Sequence, residues 1–189
     1  MNNPQDKFEK VFTCEMNGLS AMLDACMTYV DQHQDSCLAE PEIRSRLKWA
    51  ITELLTNAIK HSGASECRIG LHCTSLQLIL EKTDQGNPLY LIRSDTGKAV
   101  QWPVTQNHPD TFEIYQNGAD ALWVEISAEG KATFQAKPVT DFENIGLSGN
   151  IAEHFGLMIL TKASSSFGYE FDAASKTNKF CCIFNWSKQ

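Results

Sequence analysis

Long apolar runs are missing from this sequence. No stretch approaches the ~18 residues that a membrane-spanning helix requires. The opening Met1-Asn2-Asn3-Pro4-Gln5-Asp6 is polar and lacks the charged and apolar regions of a secretory leader, so the reading is of a cytoplasmic protein without a membrane partner. Basic charge is also short. Lys plus Arg number 16 against 23 Asp plus Glu, a formal net charge of −7. Such a chain offers no basic face for a phosphate backbone, which weighs against direct nucleic-acid binding, and any anionic ligand has to be held locally. Cysteine is present without a pattern. The seven thiols, Cys14, Cys26, Cys37, Cys67, Cys73, Cys181 and Cys182, are odd in number and contain no CxxC pair. That argues against a disulfide framework or a zinc knuckle and for reduced, mostly buried thiols. His72 beside Cys73 reads as core packing, because neighbours on a strand point to opposite faces and do not converge on one metal.

What the sequence does have is enough apolar material for one core: 189 residues, 42% of them apolar. Residues 10–16 alternate weakly and predict a first strand, ended by Asn17-Gly18. Leu19, Met22, Leu23, Cys26, Met27 and Val30 recur at helical steps and predict a helix over about 19–33. A second helix starts near Pro41, follows the apolar positions Ile43, Leu47, Ile51, Leu54, Leu55, Ala58 and Ile59, and ends at Ser62-Gly63. Strands are expected over 66–73 and 76–82, joined tightly through Thr74-Ser75 and broken by Asp84-Gln85-Gly86-Asn87-Pro88. Three further strands, 111–116, 121–127 and 132–136, read as a meander with Phe112, Ile114, Leu122, Val124, Ile126 and Phe134 on one face. Trp102 and Trp123 in this region are candidates either for partner contact or for buried packing. A late helix carrying Ile151, Phe155, Met158 and Ile159 and two closing strands, near 167–172 and 179–186, complete the chain. The order predicts one α/β (α+β) two-layer domain with a largely antiparallel sheet and the helices on one face.

Three pieces of this order bear chemistry. Glu53, Asn57 and His61 recur every four residues on the second helix and share one polar stripe, successive members differing by ~40° around the axis. Alone, the stripe reads as the solvated side of an amphipathic helix. Asn in mid-helix is a poor helix former, however, and Thr56-Asn57 is an awkward pair to place there without a task. Some twenty residues later a strand ends in Asp84-x-Gly86-x-Pro88. It is either a simple turn or a carboxylate set to accept from an amino group in an apolar pocket. Gly146-Leu147-Ser148-Gly149, followed by His154-Phe155-Gly156-Leu157, places glycines beside a helix start, where backbone N–H groups can face phosphate.

Together these pieces resemble a family. Glu53-Leu-Leu-Thr-Asn57-Ala-Ile-Lys-His61 is similar to the N box of the GHKL ATPase superfamily, Asp84-Gln-Gly86-Asn-Pro88 to its G1 box, and His154-Phe-Gly156-Leu157 to a degenerate G2 box. The resemblance spans about residues 10–90 and 144–186 and is most specific at the N box. The short chain, the form TELLTNAIKH and the lack of a dimerisation-phosphoacceptor segment resemble most closely the anti-sigma regulatory factor serine kinases. The resemblance implies a histidine-kinase-like (Bergerat) ATPase domain over 1–189, built on a mostly antiparallel mixed sheet, with a β-rich insertion at about 92–140. It implies ATP and Mg2+ as ligands, with Glu53 as general base, Asn57 as the Mg2+ ligand and His61 at the end of the N box. Asp84 would take the adenine amine, Gly86 would make room for the ring, and Gly146, Gly149 and Gly156 would lie in the phosphate-covering lid.

The sequence also departs from that pattern. His154 stands where the family has a second glycine, the lid is shorter and poorer in glycine, and the 60 residues from Gly86 to Gly146 exceed the minimal spacing. A rival adenine strand at Ile126-Ser127-Ala128-Glu129-Gly130 lacks the aspartate. The function expected is an ATP-binding regulator that phosphorylates a serine on a small anti-anti-sigma-like partner. Two alternatives stand beside it: a nucleotide-gated module that sequesters a sigma factor or other regulator without transfer, and a detached histidine-kinase-like ATPase domain. A homodimer is implied by the resemblance alone.

Overall fold

The computed structural model describes residues 7–32, 41–74, 76–104, 108–139 and 151–185, the side chains of 151–153 excepted. In chain order the strands are β1 (Lys7–Thr13), β2 (Glu66–Cys73), β3 (Gln77–Asp84), β4 (Tyr90–Ile92), β5 (Ala99–Gln101), β6 (Asp110–Gln116), β7 (Asp120–Ile126), β8 (Ala132–Pro138), β9 (Ser166–Asp172) and β10 (Thr177–Asn185). The helices are α1 (Leu19–Gln32), α2 (Pro41–Asn57) and α3 (Ile151–Ala163). Residues Met16–Gly18, expected to end the first strand, form a 3-10 turn into α1, and β1 begins three residues earlier than its alternation suggested. The result is an α+β protein with a large antiparallel sheet and three helices among the described residues. Among those residues no helix is long and apolar enough to cross a membrane.

Eight strands form one sheet in the order β1-β2-β3-β10-β9-β8-β7-β6, while β4 and β5 pair separately. Every described pairing in it is antiparallel, so the mixed sheet expected from the resemblance is not what these strands form. The register explains why the strands stay together. One row of neighbours, Phe8, Leu71, Leu80, Cys182, Phe167, Phe134, Val124 and Phe112, crosses all eight. Against such rows lie Leu47, Ile51, Leu54 and Leu55 of α2 and Leu157 and Leu160 of α3, all buried. Helix α2 packs between α1 and α3, and the three together cover one face of the sheet. Arg46 Nε donates to the Ala163 carbonyl at 2.7 Å, tying the start of α2 to the end of α3.

The meander is present at β6–β8 with its expected face buried throughout. It does not stand apart as an addition. Strand β8 bonds to β9 through Ala132–Phe134, and the Phe134 ring stacks on Phe167 with centroids 4.8 Å apart. Trp102 is a core residue, 3% exposed, with its indole N–H donating to the Gly130 carbonyl at 2.6 Å and its ring edge-on to Tyr169. Trp123 is half-buried beneath Lys137. Of the described thiols, Cys26, Cys67, Cys73 and Cys182 are buried and Cys14 and Cys181 half-buried, none of them in a disulfide. Cys37 lies outside the described residues. Burial pushes the Cys26 thiol up to about 12, which leaves it a packing residue.

Because Phe167 joins the meander to the rest of the core, Phe167→Ala is expected to cost about 3–5 kcal/mol. Urea unfolding should still show one transition, with tryptophan fluorescence and far-UV dichroism coinciding. A separate early transition in fluorescence would show that β6–β8 fold on their own.

Candidate functional site

The core-facing side of the sheet changes character along the strands. The row across β2, β3, β10 and β9 that begins at Leu71 and Leu80 is apolar. Two residues on it reads Ile69, Lys82, Phe180 and Tyr169, and two further Cys67, Asp84, Asn178 and Phe171. Strand β3 thus keeps strict alternation, with Leu78, Leu80, Lys82 and Asp84 all buried, but its last two inward positions are charged. They form an ion pair between Lys82 Nζ and Asp84 Oδ2, with both side chains almost fully buried. Burying two charges demands further hydrogen bonds, and on the Asp84 side Asn178 supplies one. Its Nδ2 donates to Asp84 Oδ1 at 3.0 Å, to the Gly86 carbonyl at 3.1 Å and to the Asn87 carbonyl at 3.3 Å. The Tyr169 hydroxyl donates to Asn178 Oδ1 at 2.6 Å and itself accepts from the Leu89 N–H at 3.0 Å. Burial raises the Tyr169 phenol above its ordinary range, so it remains a donor.

This network pins the chain from Asp84 to Leu89 as one wall of a cavity of about 380 Å3. The other walls are Asn57, His61 and Ser62 from α2 and the turn after it, His154 and Leu157 from α3, Tyr90 and Gln101 from the β4–β5 hairpin, and Phe180 from β10. At the end of α2 the backbone widens into a π turn, Ala58–Ser62, closed by Gly63 in the left-handed region with φ of 67°. A π turn departs from the 100° step, so the stripe does not run straight. Asn57 lines the cavity half-buried and His61 lies exposed at its rim. The Ser62 hydroxyl donates to the Ala58 carbonyl at 2.6 Å, and its own carbonyl accepts from the Asn87 N–H at 2.5 Å.

Gly86 is explained by this last contact. A Cβ on it would sit 2.0 Å from the Ser62 carbonyl oxygen, so only glycine lets the loop close onto the π turn. It is absent from the described cavity lining, where Asn87 and Pro88 stand. Gly156, on α3, lies over the stripe: a Cβ there would be 2.8 Å from Glu53 Oε2 and 3.4 Å from Asn57 Oδ1. The structure therefore brings Asn57, His61, Asp84 and His154 to one cavity and sets Gly156 against Glu53 and Asn57. Glu53 itself is half-buried beside Gly156 rather than on the described lining. Gly146 and Gly149 lie outside the described residues.

Lys82, Asn178, Tyr169, Tyr90, Gln101 and Phe180 escaped the sequence reading. For Lys82 the signal was there, since it has the same strand parity as Leu78 and Leu80 and hence faces inward. Asn178 shares the parity of Phe180, Cys182 and Phe184 in the same way. Tyr90 and Gln101 reach the cavity through the β4–β5 hairpin, which no periodicity marked. As for a metal, an amide oxygen at Asn57 with a carboxylate nearby is a donor set that suits Mg2+, which takes few protein ligands and keeps phosphate and water. No protein-family model matches the chain, and no curated protein matches it.

Burial raises the Glu53 carboxyl above its ordinary 4.5, with Lys60 opposing. The folded state then holds this proton more tightly than the unfolded chain. Its contribution to stability is present below the ordinary carboxylate value and is lost as pH rises through the folded one. Glu53→Gln should therefore match wild type in thermal midpoint on the acid side of the carboxylate range and exceed it near neutral pH. Melting curves across that range check this, and a difference that does not change with pH would contradict it.

Proposed function

We propose that the chain binds ATP with Mg2+ in this cavity and acts as a regulator of a protein partner, in the manner of the anti-sigma serine kinases that its motifs resemble. One observation carries the reading: three segments far apart in sequence, the end of α2, the loop after β3 and the early turns of α3, converge on one cavity. Support also comes from the layer arrangement, three helices over one face of a sheet, which is the two-layer form the resemblance implies even though every described strand pairing is antiparallel. The cavity falls within the size range of small-molecule sites. Leu89, Leu157, Pro88 and Phe180 give it apolar walls for a flat ring.

In this reading Asp84 accepts from the base at the deep end of the cavity. Asn57, the last residue of α2 immediately before the π turn, would offer its amide oxygen to the Mg2+ that accompanies the phosphates. The bound metal would supply charge neutralisation to the phosphate chain. Glu53 would hold or take a proton from the acceptor hydroxyl, and a desolvated carboxylate with a raised pKa is suited to that exchange. The partner would be an anti-anti-sigma-like protein or a sigma factor, met by a cytoplasmic protein that is monomeric or a homodimer. A second reading, binding without transfer, is favoured by a specific contact. Glu53 is set against Gly156 on α3 and does not stand on the described lining, a placement that suits a residue holding two helices together as well as a base.

The two readings separate by calorimetry and transfer assays on the intact chain. Wild type should bind Mg·ATP, and Asn57→Ala should lose the Mg-dependent part of the affinity. Glu53→Gln should hold Mg·ATP within a few-fold in either reading. If the protein is a kinase, wild type phosphorylates serine on a captured partner and Glu53→Gln loses ~10²–10⁴ in rate. Equal binding with no phosphate transferred by wild type selects the sequestering module, and no Mg·ATP binding by wild type overturns the proposal.

A further inference from the structure

We infer that Lys82 is a second base-reading residue, donating to a ring nitrogen beside the amine that Asp84 accepts, and that the pair admits adenine while rejecting guanine. The inference rests on the nucleotide reading above and adds to it a residue that lies outside the resembling motifs. Lys82 is 2% exposed and stands on the cavity wall. Its ammonium carries three donors and no acceptor. One donor goes to Asp84 Oδ2, and the Phe180 ring lies 4.8 Å from Nζ. Among the described residues no second acceptor is bonded to it, so a buried cation faces the cavity with donor capacity unspent. A ligand that offers no acceptor there leaves those donors desolvated, which is costly.

The acceptor count on Asp84 decides which ring fits. A carboxylate has about four acceptor positions, two on each oxygen. Oδ1 takes the Gly86 N–H at 2.8 Å and the Asn178 amide at 3.0 Å, and Oδ2 takes Lys82. Among the described residues one position remains, on Oδ2, next to the ammonium. The wall thus presents one acceptor beside one donor. The Watson–Crick edge of adenine complements it with an amine N–H beside a bare ring nitrogen. Guanine offers O6 to Lys82 but brings two donor groups, N1–H and the 2-amino group, to the single remaining position. One of them is then buried without a partner. Hypoxanthine, which lacks the 2-amino group, fits with the polarity reversed.

Titration calorimetry on the full chain with Mg2+ tests this, using ATP, GTP, ITP and 1-deaza-ATP, in which the ring nitrogen is replaced by C–H. Wild type should bind GTP and 1-deaza-ATP roughly tenfold or more below ATP, with ITP between ATP and GTP. Lys82→Met should then abolish the difference between ATP and 1-deaza-ATP. If Lys82 merely held Asp84 in place, the variant would weaken both ligands alike and leave their ratio intact, and that result overturns the inference. So does equal binding of ATP and 1-deaza-ATP, or of ATP and GTP, by wild type, an arm that stands even where Lys82→Met does not fold. Absence of binding by all four nucleotides removes the nucleotide reading itself and this inference with it.

Discussion

A buried ion pair at the end of a strand organises this molecule. Lys82 and Asp84 occupy inward positions of β3. Two charges in such a place are costly unless their remaining hydrogen-bonding capacity is met. For Asp84, the means of meeting it sets the local architecture: Asn178 opposite in register, the Tyr169 hydroxyl behind that amide, and the backbone of Gly86, Asn87 and Leu89 folded over to complete the network. A wholly apolar end to β3 would need none of these partners. The stretch from Asp84 to Leu89 owes its course to them.

The same loop is held from the other side by α2. Its last turn widens into a π turn that delivers the Ser62 carbonyl to Asn87 and leaves no room for a side chain at residue 86. Gly156 repeats the arrangement on α3, where its missing side chain lets the helix settle on Glu53 and Asn57. Both glycines are thus spacers between elements, a role that is compatible with a ligand nearby and does not depend on one. Packing, in this protein, decides how close the polar stripe of α2 comes to the charged end of β3.

Much of the fold was legible in the sequence because its elements carry strong periodicity. The helical steps of Leu47, Ile51, Leu54 and Leu55 and the alternation of Phe112, Leu122, Val124 and Phe134 each mark a face that is buried. What could not be read is how the strands join. Nothing local in Ala132–Phe134 says that they pair with Phe167–Tyr169, so the meander read as an addition when its register makes it part of the main sheet. The site was legible in the same uneven way. Asn57, His61, Asp84 and His154 were found as motif positions and do meet at one cavity. Lys82 and Asn178 belong to no motif: strand parity placed Lys82 inward with Leu78 and Leu80, whereas Asn178 fell outside the closing strand expected from 179, which begins at Thr177. Glu53 was given a role from its motif position, but its distance from the cavity depends on how α3 packs, a tertiary contact that spacing along one helix cannot reveal.

On the function proposed, the loop after β3, the π turn after α2 and the early turns of α3 would respond to a nucleotide as one site. Amide hydrogen exchange read peptide by peptide, with and without Mg·ATP, tests it most directly. Exchange should slow on adding Mg·ATP in 58–63, 84–90 and 154–158 together, with the β6–β7 turn unchanged. Unaltered exchange in all three segments, or protection confined to a region away from them, would contradict it.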